Sequence, residues 1–304
     1  EGFFIREEKD ASEEEKKIKE VNSGFYFLDC QYLYSQIQTI NSNNAAHEFY
    51  LTDIFTTQSF CEAFLFNEEI VFQGVNTYDQ LSLIEKKLQE QKINQMQKEG
   101  VYFENAASVW IDQDVQIGSG TRVGSSCSFY GKSVVGANNT IETGCVFKNT
   151  VVGESNKILA YSYMEEASIG DSNDIGPFAR LRPRTIISQN CKIGNFVEIK
   201  KAEFKKGAKA SHLSYIGDAT IGENSNLGCG FITCNYDGKK KHQTTIGSNS
   251  FIGSDVQVIA PIDIGDNTFI AAGSTITKSI ESGDFAIARS KQTTITQGAK
   301  RFLE

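Results

Sequence analysis

The chain has 304 residues, 39% of them hydrophobic, and carries a formal net charge of -8 at pH 7; a length of this order buries a sizeable core and suggests about two domains. An acidic balance argues against general nucleic-acid binding, which needs a broad basic surface to displace counterions from phosphates. No apolar run long enough to span a membrane and no secretory leader stands out, so the expected location is cytoplasmic. The seven cysteines are odd in number and scattered without a C-x-x-C pair, a pattern that suits neither a disulfide framework nor a zinc site. Residue 1 is Glu, from which the numbered chain is expected to begin inside a longer polypeptide.

Residues 1–76 read as mixed α/β. "EEKDASEEEKKIKEVNSGFYFLD" (7–29) predicts a charged helical stretch running into an apolar strand, and "EEIVFQGVN" (68–76) a second strand. They are too few, by themselves, for a complete enzyme. Residues 77–100 place Leu81, Ile84 and Leu88 at helical spacing, and Gly100 stands where a connecting helix would stop.

From Ile111 a large apolar residue recurs every sixth position: Ile117, Val123, Phe129, Val135, Ile141, Phe147. The ladder slips by one, resumes at Val152, Ile158 and Met164, slips again, and runs from Ile169 through Ile175, Leu181, Ile187 and Ile193 to Ile199. After an interruption it returns at Ile221 and Leu227, then from Ile246 to Ile276. Six residues make one short flat strand and a corner; three such sides close a triangular coil whose stacked copies share one interior. The stretch 111–276 has room for roughly nine coils. Glycine after the ladder residue, as in "IGENSNLG" and "SVVG", predicts tight corners where a Cβ is unwelcome.

Two segments break the rhythm, and insertions in a repeat usually extrude as loops on a binding face. The first is "KKAEFKKGAKASHLSY" (200–215) and the second "CNYDGKKKHQTT" (234–245). With "ARLRP" (179–183) they supply Arg182, Lys200, Lys201, Lys205, Lys206, Lys209, Lys239, Lys240 and Lys241, a set suited to a small phosphorylated ligand or to a solvated surface. His212 is one of three histidines, with His47 and His242. A lone histidine is more often structural, but an imidazole among positive charges tends to stay neutral, the form a general base requires. Three dispersed histidines fit a metal-dependent hexapeptide enzyme poorly. Cys229 and Cys234 have no adjacent base that would make either a thiolate nucleophile.

The runs "GPFARLRP", "IGNFVEIKKAEFKKGAKASHLSYIGDATIGENSNLGCGFITCNYDG", "IGSNSFIGSDVQVIAP" and "IAAGSTIT" closely resemble the carboxyl half of the bacterial bifunctional N-acetylglucosamine-1-phosphate uridyltransferase/glucosamine-1-phosphate N-acetyltransferase family. Upstream, "EEKDASEEEKKIKEVNSG", "NSNNAAHEFYLTDI" and "GVN" are similar to the end of that family's nucleotidyltransferase domain, whose opening glycine-rich loop and magnesium-holding Asp have no counterpart here. The resemblance implies a mainly β chain: a left-handed parallel β-helix acetyltransferase domain with a C-terminal tail (101–304), preceded by a linker helix (77–100) and the C-terminal remnant of an α/β nucleotidyltransferase domain (1–76). It also implies a homotrimer, with acetyl-CoA in a cleft between neighbouring subunits.

By the same resemblance, His212 is the base that deprotonates the amine of glucosamine 1-phosphate. Arg182, Lys200, Tyr215 and Asn226 hold the sugar phosphate, Lys241 reaches in from the extruded loop, and Glu198 shares the pocket. Asn235, Tyr236, Ser254, Ala272 and Arg289 line the acetyl-CoA channel, and Cys229 stands there where the family usually has alanine. Glu7 and Asn22 would contact the uridine-diphosphate sugar and Asn76 would be a magnesium ligand. The expectation is a chain that acetylates without transferring uridylyl groups, while a longer parent using UTP, Mg2+ and UDP-N-acetylglucosamine would do both. Two rivals remain: a related sugar acyltransferase taking a longer acyl donor, and a non-catalytic scaffold built on the same prism.

Overall fold

The computed structural model describes residues 5–55, 61–66 and 69–303; residues 1–4, 56–60, 67–68 and 304, including Glu68 of the second expected strand, lie outside it. The chain divides into two compact units, Glu1–Glu85 and Lys86–Glu304.

The first unit departs from the sequence reading. The expected helix over 7–29 is two short 3-10 turns, Glu8–Asp10 and Glu15–Lys17, the second entered through Ser12, whose hydroxyl accepts from the Glu15 amide while Glu15 accepts from the Ser12 amide. No strand follows: Phe25 and Phe27 are exposed, and the other expected strand is a 3-10 turn at Glu69–Phe72. A strand holds only when a neighbour takes its backbone hydrogen bonds, and no strand is found among the described residues of this unit. The helix it does contain, Cys30–Ile37, is capped by Asp29, whose side chain accepts from the Tyr32 amide at 2.9 Å.

The stretch expected to be helical holds the helix Tyr78–Lys98, and Gly100 follows it with a left-handed φ of 94°. Its buried side chains are Ile93 and Met96, whereas Leu81 and Leu88 are exposed. The Gln89 side chain accepts from the Ile111 amide and donates to its carbonyl, closing the backbone groups of the first coil's edge.

From Tyr102 to Ala286 the chain winds through 26 strands, each pairing in parallel with the strand one coil away. The result is a left-handed parallel β-helix of about ten turns. Through most of the helix neighbouring coils are offset by 17 or 18 residues, with 20 at the first pairing and 16 at the last. Every ladder residue named from the sequence is 6% exposed or less, so the period of six is the inward-facing position of each side. Burial of this continuous column is the main favourable term in the fold; within it the Phe129 and Phe147 rings stack at 4.7 Å.

Two expectations are corrected. The segment 200–215 is no extrusion: the strands Lys192–Phe204 and Lys209–Ile221 lie in register, and Phe204, Ala210 and Ile216 continue the ladder at 0% exposure. Only the second break leaves the prism, and there the offset grows to 25 residues. The glycine after each ladder residue also has a different cause. The left-handed corners are held mostly by Asn, Ser, Asp and aromatic residues, such as Asn138 at φ 58°. A Cβ on Gly194 would instead collide with the Ser211 carbonyl, so it is the approach of the next coil that demands glycine there.

Candidate active site

His212 stands just before a corner, on the coil whose next residue, Leu213, has φ 35°. Its side chain is exposed, directed away from the aliphatic interior. One coil below, Asn195 pairs with it in register, and Asn195 Oδ1 lies 2.9 Å from His212 Nδ1. An amide oxygen only accepts, so Nδ1 carries a proton, and in the neutral ring the lone pair is on Nε2. Asn195 is a functional residue the sequence reading missed; its signal is the 17-residue offset.

The same corner climbs the helix as a column. Leu213 O accepts from the Gly230 amide, which places Cys229 above His212. Cys229 O accepts from Asp255, and Ser254 O from Gly273. Arg289 then donates from Nη1 to Ala272 O at 2.9 Å. His212, Cys229, Ser254, Ala272 and Arg289 thus follow one edge, as a long thioester running along the helix would require. Asn226 lies on the side before this corner, in register between Lys209 and Phe251.

The next corner of the same coils gathers the cations. Arg182 donates to Glu198 at 2.7 Å, and Glu198 pairs in register with Tyr215. Lys200 is held below the usual lysine range, first by Lys241 beside it and then by Arg182. Crowded ammonium groups that repel one another form a site prepared for an anion. Among the described residues neither Lys200 nor Lys241 makes an ion pair.

Lys241 arrives on the extruded loop, and the loop is clipped shut. Asp237 accepts from the amides of Lys239 and Lys240 and lies 2.7 Å from His242 Nε2, contacts that hold its carboxyl at about 2. Tyr236 bridges to Lys241, and the His242 amide donates to Asn235 O. The Asn235 side chain donates to Asp218, buried at 3% exposure, while Tyr236 is exposed with its hydroxyl on Gly238 O. Asp218 too escaped the sequence reading.

The structure therefore brings the expected residues into two groups. Five stand on the His212 corner; Arg182, Glu198, Lys200, Tyr215, Asn235 and Lys241 cluster at the following side and corner. From His212 the chain turns the corner at Leu213 and runs along the next side to Gly217, in register with Lys200, a backbone contour of at most about 16 Å. Lys205 and Lys206 lie apart, in a shallow groove with Asp171, Glu203 and Glu223. In the first unit Glu7 accepts from Thr52, Asn22 donates to Tyr26, and the Asn76 amide donates to Gln80, with no contact described between any two of the three. Among the described residues no group of three His, Cys, Asp or Glu could hold a metal ion. Among those residues no helix is long and apolar enough to cross a membrane.

Two family models match: the bacterial transferase hexapeptide (six repeats) over residues 243–278 and the GMPPB C-terminal domain over residues 107–189. The bifunctional protein GlmU of Psychrobacter sp. is 46% identical over 293 residues, and that of Pelobacter propionicus 40% identical over 292, each across 95% of this chain. The chain spans 64% of the length of these relatives. Among solved structures, the UDP-N-acetylglucosamine acyltransferase of Arabidopsis aligns with a TM-score of 0.51 at 17% identity, covering 64% of this chain and 75% of that one, a likeness of fold.

Proposed function

We propose, from the premise that this chain belongs to the GlmU family, that its β-helix transfers the acetyl group of acetyl-CoA to the 2-amino group of glucosamine 1-phosphate. One observation carries the reading: an exposed imidazole bonded through Nδ1 to Asn195, at the foot of the corner column, one corner away from Lys200 and Lys241, which make no ion pair among the described residues.

The chemistry follows from these groups. An ammonium has no lone pair, so the 2-amino group first gives its extra proton to solvent, and His212 Nε2 then takes the proton that the nitrogen sheds as it attacks the thioester carbonyl. The C–N bond forms, the C–S bond of the tetrahedral intermediate breaks, and the departing thiolate recovers the proton. Arg182, Lys200 and Lys241 hold the phosphate, and fixing both reactants makes the encounter effectively unimolecular. Because His212 and the cations stand at successive corners of one prism, the reading pairs His212 of one copy with the cations of a neighbour in a homotrimer. Exposed rings stacked along corners, Tyr161 on Phe178 and Phe178 on Phe196, are suited to face that neighbour. Uridylyl transfer is not read from the first unit, whose three candidate residues are held by separate partners.

The test is thiol release from acetyl-CoA with glucosamine 1-phosphate as acceptor. Acetyl-CoA is expected to exceed longer acyl donors by about tenfold or more in kcat/KM, since Cys229 adds bulk to the column. No release overturns the reading, and a preference for long acyl chains favours the rival acyltransferase.

Lys200 adds a pH signature. Its lowered pKa means that it loses its proton, and its hold on phosphate, at a lower pH than an ordinary lysine. KM for the sugar phosphate should therefore rise on the alkaline side. Lys241→Met removes the largest cause of the lowering, so that rise should move to higher pH even as KM worsens overall. A KM–pH profile that keeps its alkaline limb in place contradicts the assignment.

A further inference from the structure

Asp218 is the one carboxylate enclosed beneath the cation cluster, at a left-handed corner with φ 47°. One oxygen lies 3.0 Å from Lys201 Nζ, on the strand that carries Lys200. The other accepts from Asn235 Nδ2 at 2.7 Å. Asn235 is also where the extruded loop closes, because its carbonyl accepts from the His242 amide. The neighbouring backbone is equally committed. The Gly217 amide donates to Thr233 Oγ1 at 2.7 Å, and a Cβ on Gly217 would come within 2.6 Å of the Tyr215 hydroxyl and 2.7 Å of Asn235 Nδ2. A buried carboxylate is costly unless paired, and here its two pairings join two different functional groups.

We propose that Asp218 is a positioning residue that couples the two substrate pockets: through Lys201 it sets the strand bearing Lys200 beside the sugar phosphate, and through Asn235 it anchors the loop that bears Lys241 and Tyr236 along the acetyl-CoA path. The pockets are those of the function proposed above, and the coupling rests on that reading. Asp218 touches neither substrate, so its effect is on affinity and not on the proton transfer at His212.

The full chain carrying Asp218→Asn, which keeps the shape and removes the charge, is compared with the wild type by amide hydrogen exchange over 235–242, acetyl-CoA affinity and steady-state kinetics. Exchange is expected to speed up about tenfold, and the Kd for acetyl-CoA and the KM for glucosamine 1-phosphate to rise about tenfold each, with kcat within about threefold. Lys201→Met, an exposed change, should raise only the sugar-phosphate KM. Unchanged exchange and constants in a folded Asp218→Asn chain, or a loss confined to kcat, overturn the proposal. If that chain does not fold, an unaltered KM in Lys201→Met overturns it instead. A wild type that transfers no acetyl group defeats the proposed function, while the exchange rates still decide whether Asp218 anchors the loop.

Discussion

His212→Ala is expected to lower kcat/KM for acetyl transfer by about a thousandfold, within the range that positioned general bases contribute. The ring is exposed, its Nδ1 is bonded to Asn195, and it stands at the foot of the column that would carry the thioester. Because the substitution removes only an exposed side chain, the melting temperature should stay within a few degrees of wild type. KM for glucosamine 1-phosphate should change little, since the phosphate is held a corner away by Arg182, Lys200 and Lys241. Asn195→Ala should cost about tenfold in kcat by freeing the ring and its tautomer, with both KM values preserved. Full activity in His212→Ala would overturn the assignment of His212 as the base.

Much of the fold was legible because a β-helix repeats one simple physical demand. Ladder residues from Ile111 to Ile276 read as inward, and they are, since each side of the prism has a single position that meets the interior. The reading failed at Phe204, Ala210 and Ile216, where a small residue and uneven spacing hid a ladder that continues through continuous strands. Of the lysines that suggested a loop there, Lys200, Lys201 and Lys209 are outward positions of those strands, and Lys205 and Lys206 sit in the turn between them. In the first unit, apolar runs such as Phe25–Phe27 carry strand propensity, but propensity without a hydrogen-bonding neighbour makes no strand. The site was legible by residue type and not by placement. Nothing in "YIGDAT" tells that Asp218 is covered at its corner by Lys201 and Asn235, and Asn195 becomes visible only once the 17-residue offset is known. The partition into two corners was equally hidden, because sequence distance along a coil does not show which face each residue occupies.

That partition makes the last prediction the most discriminating. In a trimer whose sites each take His212 from one copy and Lys241 from the next, His212→Ala and Lys241→Met chains are both crippled alone, yet their defects lie in different halves of the site. Co-expressed and assembled at random in equal amounts, they should recover about one quarter of wild-type activity. A site is intact only when its histidine comes from a Lys241→Met chain and its lysine from a His212→Ala chain, and each choice has even odds. If both groups served the same active site from within one chain, every site would carry one defect and mixing would restore nothing. The controls are each variant alone and a mixture of the two purified after separate assembly, where slow subunit exchange should leave activity low. Phe196→Glu, which places a charge on the stacked corner rings, should abolish both the trimer in sedimentation and the recovered activity, because the interface and the site are then lost together.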